Sequence, residues 1–152
     1  MSTGGQIYPP RVSVVFCDDA RSESGGKTSL MGVYSQVLGF KEPKALLPKF
    51  CVVFLLDLPG ELGNVTVGLS LLDRGKTLFS AAVALEYISV PALHASQRIG
   101  AVLPLQAMAF EAADGMVLQG RAVIEGVLDY TSDPLLVLSI PELTPSAVAS
   151  AA

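Results

Sequence analysis

The sequence predicts an all-β chain folded as an antiparallel β-sandwich of about eight strands. Three observations carry that prediction. Apolar, β-rich runs of strand length recur along the chain, turn signals built from Gly, Pro and Asp separate them at short intervals, and no long segment keeps a helical period.

Residues 1–10 carry Gly4, Gly5, Pro9 and Pro10 and read as an arm outside the core. Arg11 to Asp18 predicts the first strand, with Val12, Val14 and Phe16 on one face. Ser24-Gly25-Gly26-Lys27 then reverses the chain into a second strand, Thr28 to Val37, making a β-hairpin. Gln36 to Lys49 holds Gly39, Pro43 and Pro48 and reads as an irregular connection. Phe50 to Leu58 is almost unbroken apolar sequence, as a central strand covered on both faces requires, and Pro59-Gly60 closes it.

Val65 to Leu72 alternates cleanly, with Val65, Val67, Leu69 and Leu71 on one face. Asp73-Arg74-Gly75-Lys76 predicts a hairpin turn into a strand over 77–90, and Pro91 to Arg98 a short helical turn between the layers. Ile99 to Phe110 is the next strand, where Pro104 argues for an edge or a bulge. Ala113-Asp114-Gly115 is a turn, Met116 to Tyr130 one long strand, and Leu135 to Ile140 the last. Phe110, Asp114-Gly115, Leu118 and Arg121, followed by an apolar final strand, resemble the closing hairpin of immunoglobulin-like domains, without the tryptophan those domains carry. The sandwich is thus expected over 11–141, with a small-residue tail over 142–152.

The composition is unusually poor in charge. Charged residues make up 16% of the chain against about 25% in an average domain, while 51% is apolar. So little polar material leaves apolar surface uncovered, and such patches mark contacts with other proteins or with membranes. The net charge of −4 and the scattered Lys and Arg argue against a nucleic-acid partner. No apolar stretch reaches the ~20 residues of a membrane span. The first residues show no secretory pattern, so the expected location is cytoplasmic or virion-associated. Cys17 and Cys51 accordingly read as reduced, buried thiols, although spacing alone leaves a disulfide open.

Phe16-Cys17-Asp18-Asp19-Ala20-Arg21, then Gly26-Lys27, Leu30 and Gly32-Val33-Tyr34, resemble the opening signature of the DUF6941-type family. That family comprises bacterial and phage proteins with no assigned function. The resemblance implies a β-sandwich found among small accessory or phage-like genes, and it implies no catalytic residue.

Candidate chemistry is sparse. Asp18, Asp19 and Glu23, with Asp129 and Asp133 from a second loop, could supply oxygen ligands for Ca²⁺. The alternative is that the aspartates cap the turn while Arg21 and Lys27 neutralise them. Zinc lacks its Cys/His spacing. The single histidine, His94, has Ser96 two residues on but no nucleophile elbow around it. Gly25-Gly26-Lys27-Thr28 lacks the earlier glycine and the helix of a phosphate loop. The sequence therefore favours a non-catalytic interaction or assembly module without a cofactor. The alternative is a Ca²⁺- or ligand-binding sandwich using the Asp18/Asp19/Glu23 end.

Overall fold

The computed structural model describes residues 9–25, 27–59, 62–86 and 96–140. They form ten strands: β1 (Arg11–Glu23), β2 (Lys27–Tyr34), β3 (Val37–Phe40), β4 (Lys44–Pro59), β5 (Val65–Asp73), β6 (Lys76–Leu85), β7 (Ser96–Glu111), β8 (Met116–Ile124), β9 (Leu128–Thr131) and β10 (Leu135–Ser139). The first sheet has the order β2-β1-β4-β7; the second runs β3-β10-β8-β5-β6, with β9 also paired to β8. The two pack face to face as a β-sandwich.

The strongest sequence signals are the middle strands. β4 lies between β1 and β7, and its Phe50, Val52, Phe54 and Leu56 enter the main core while Cys51 and Val53 face a small second cluster. In β5 the alternating Val67, Leu69 and Leu71 are fully buried against it. Arg74 and Gly75 both take positive φ, 49° and 82°, giving the tight turn that a two-residue hairpin between β5 and β6 needs. That turn is pinned to the start of β8: Arg74 N–H donates to Val117 O, and Val117 N–H donates to Asp73 Oδ1.

Phe50 is the hub of the core. Its ring meets Phe16, Tyr34 and Phe110, and Phe110 meets Phe40 in turn, linking both sheets. The sheets approach closely at Gly120 of β8, where an added Cβ would stand 2.8 Å from Val14 and 3.2 Å from the Phe54 ring. Ser132 bridges the gap between β9 and β10 on β8. Its N–H donates to Gly120 O and its Oγ accepts from Gly120 N–H, so no backbone group of that close approach is stranded.

Several expectations are corrected. β1 continues five residues past the predicted end, so Asp19 to Glu23 are strand rather than turn. The predicted connection over 36–49 contains β3 and the start of β4. Pro48 is tolerated there because that end of β4 pairs with β7 only, and it lies opposite Ala107, which has a φ of 54°. Met116 to Tyr130 is two strands, broken at Gly126, and the turn after Phe110 carries the chain from one sheet to the other rather than closing a hairpin. The sandwich is also not purely antiparallel, since β10 runs parallel to β3. Residues 96–98 are strand instead of a helical turn; the rest of that predicted turn, most of the N-terminal arm and the C-terminal tail lie outside the described residues. Pro104 does lie on an edge strand, β7, as its chemistry demands.

Candidate functional site

The acidic hairpin is the densest polar group, and the β1–β2 register fixes its layout. Glu23 pairs with Lys27, Asp19 with Met31 and Cys17 with Val33. Each carboxylate has its own partner. Tyr34 donates its hydroxyl to Asp18; Arg21 Nε stands 2.8 Å and Lys49 Nζ 3.4 Å from Asp19; Ser29 donates to Glu23. Arg21, with Lys49, holds the Asp19 carboxyl below the usual carboxylate range. Neutralisation thus comes from Arg21 and Lys49, not from Arg21 and Lys27.

Gly32 makes room for the bond between Asp18 and Tyr34. Its φ is +66°, and an added Cβ would sit 2.8 Å from Asp18 Cγ. The Asp18 side chain therefore occupies the space a β-carbon would need, and Tyr34 holds it there.

The proposed second loop does not join this group. Asp129 is a strand residue in β9, bound by Arg121 through two contacts of 2.9 and 2.7 Å. Asp133 lines a cleft of about 320 Å³ with Tyr34, Tyr130 and Ser132, between the two sheets. Among the described residues no group of three or more His, Cys, Asp or Glu side chains converges as a metal site.

Sequence reasoning missed a second concave region on the first sheet. Arg11 pairs with Asp57, and Asp57 with Arg98, across β1, β4 and β7. With Ser13, Leu55 and Gly100 they border a cavity of about 360 Å³. Arg98 Nε lies 3.9 Å from Asp57 Oδ2, and Asp57 Oδ1 is buried without a hydrogen-bond partner among the described residues. These three residues are 41 or more positions apart in sequence, so only the register reveals the row.

Cys17 and Cys51 are free, buried and directly opposite each other, forming the second small core with Val53. Burial pushes the Cys17 thiol up to about 11, with the nearby Cys51 adding to it, and burial raises Cys51 too. Such thiols behave as small apolar groups, not nucleophiles. Burial, and then the bond to Asp18, likewise raises the Tyr34 phenol. All three groups stay protonated in the fold after they would ionise in the unfolded chain. The contribution of the buried thiols to stability is therefore fully present below about pH 9 and is lost as the pH rises from there through about 11. Urea midpoints measured at pH 7.5 and 10.5 should fall at the higher pH, and Cys17→Ala should lessen the fall.

Large apolar side chains stand exposed at Met31 and Val33 on β2, at Val37, Leu136 and Leu138 across β3 and β10, and at Phe79 on β6. The β3–β10 register places Val37 beside Leu136, which makes one apolar strip at that edge of the second sheet. No described helix is long and apolar enough to cross a membrane. His94 lies outside the described residues.

No curated protein matches the chain. The model of a family of unknown function, DUF6941, matches residues 12–117, from the second residue of β1 to the second residue of β8. With more than half of its length inside that match, the chain belongs to the DUF6941 family.

Proposed function

We propose that this protein is a non-catalytic protein–protein interaction module that builds an assembly, of the kind used as a phage-type virion or accessory structural component. The observation that carries the reading is the run of exposed apolar side chains along strands at the sheet margins: Met31 and Val33, Val37, and Phe79. Single exposed apolar residues are ordinary, but several on the marginal strands of both sheets leave apolar surface that another chain can cover. The low charge of the chain favours the same reading, because few solvated side chains are left to guard those margins. A cytoplasmic or virion location belongs to it as well.

Light scattering of the purified protein over a hundredfold concentration range tests this. Masses above 15.9 kDa that rise with concentration are expected. A constant monomer mass, with no binding of an apolar-surface dye, would overturn it.

A further inference from the structure

We infer that β6 is the surface through which two copies of this chain join, antiparallel, into one continuous sheet. The inference rests on the assembly reading and names its partner. Sheet edges expose a row of unpaired N–H and C=O groups, and proteins normally blunt them. Among the described strands, four of the five edges are blunted, that of β9 by its length of only four residues. β2 is kinked at Gly32, with φ +66°. β7 carries Pro104 and the positive-φ Ala107. β3 is only four residues long. β6 is ten residues long and has a bulge only near its Lys76 end, where the register shifts between Leu71 and Leu72; from Phe79 to Leu85 it pairs regularly with β5, and Ser80 to Leu85 holds no charge, proline or glycine.

The edge is also incompletely covered by the opposite sheet. Val83 stands opposite Val67, Ala81 opposite Leu69 and Phe79 opposite Leu71, so all three lie on the core-facing side of the second sheet. Exposure grows along that row. Leu85 is buried and Val83 half-buried, but Ala81 is exposed and Phe79 is 43% exposed. The row is closed at the Leu85 end and open at Ala81 and Phe79, beyond which Leu78 packs against the core again.

A second copy fits this edge better than an unrelated strand because β6 complements itself. Two-fold pairing centred on Ala81 sets Phe79 of each copy beside Val83 of the other, which continues the apolar layer over the open end. Antiparallel pairing also brings the Lys76 end of each strand to the Glu86 end of its mate, placing opposite charges together twice. A parallel arrangement would do neither. The two-fold uses both free edges at once, so growth stops at two copies.

The test uses the full chain. Sedimentation or light scattering should give about 32 kDa, twice the 15.9 kDa monomer. Ala81→Lys places two like charges face to face at the two-fold axis and should halve that mass while leaving the circular dichroism and melting temperature of the subunit unchanged. Ala81→Cys should cross-link to a covalent dimer on mild oxidation, whereas Thr77→Cys, far from the axis, should not. If the wild-type oligomer survives Ala81→Lys, or Ala81→Cys fails to cross-link within it, the β6 interface is wrong while the assembly reading stands. If the wild-type chain is monomeric but captures a strand of another protein at β6, the second copy is the wrong occupant. If it is a strict monomer that binds nothing, both fall.

Discussion

Replacing Phe50 with alanine is expected to lower the stability of the sandwich by about 3–5 kcal/mol, the range for deleting a fully buried aromatic ring. The ring has no exposed surface and touches Phe16, Tyr34 and Phe110, which come from both edges of its own sheet and from its neighbour β1. No nearby side chain can swing into the gap without abandoning another core contact, so collapse of the cavity is limited. For a domain of this size the melting temperature should fall by on the order of 10 °C. Thermal unfolding followed by circular dichroism measures it. A loss below about 1 kcal/mol would mean the cluster repacks freely and Phe50 is not its hub.

Gly32→Ala should destabilise the protein by about 2–4 kcal/mol through two effects that can be separated. Holding an L-residue at positive φ costs about 1–2 kcal/mol. The remainder comes from driving the Asp18 carboxylate away from Tyr34, because the new methyl group enters the space that carboxylate fills. In an Asp18→Ala background only the backbone strain is left, so the same substitution should cost about 1–2 kcal/mol less. Urea unfolding of the four proteins in that cycle is the measurement. Equal costs in both backgrounds would show that Asp18 and Gly32 are independent.

The middle of the fold was legible because it depends on local pattern. The strict alternation from Val65 to Leu72 and the Arg74-Gly75 turn each specify their own geometry, and both are found where the sequence places them. The margins were not legible, because there tertiary pairing overrides local signals. Pro43 and Pro48 read as loop residues, yet Pro48 sits in β4 because only one neighbour pairs with that stretch. The acidic candidates are dispersed for a related reason. Asp18, Asp19 and Glu23 are close in sequence, but the strand continues through them and each acquires a different partner. The Arg11–Asp57–Arg98 row and the unguarded β6 edge have no local signature at all. Both exist only once strand order is known.

The parallel contact between β3 and β10 has a consequence for how the chain is made. Val37 finds its ladder partner in Leu136, about a hundred residues downstream, and long-range pairings of this kind slow the search for the native arrangement. On the ribosome β3 must wait, unzipped, until Leu135–Ser139 has emerged. Until then that margin of the second sheet stays unsealed, and the newborn chain meets solvent with one seam open.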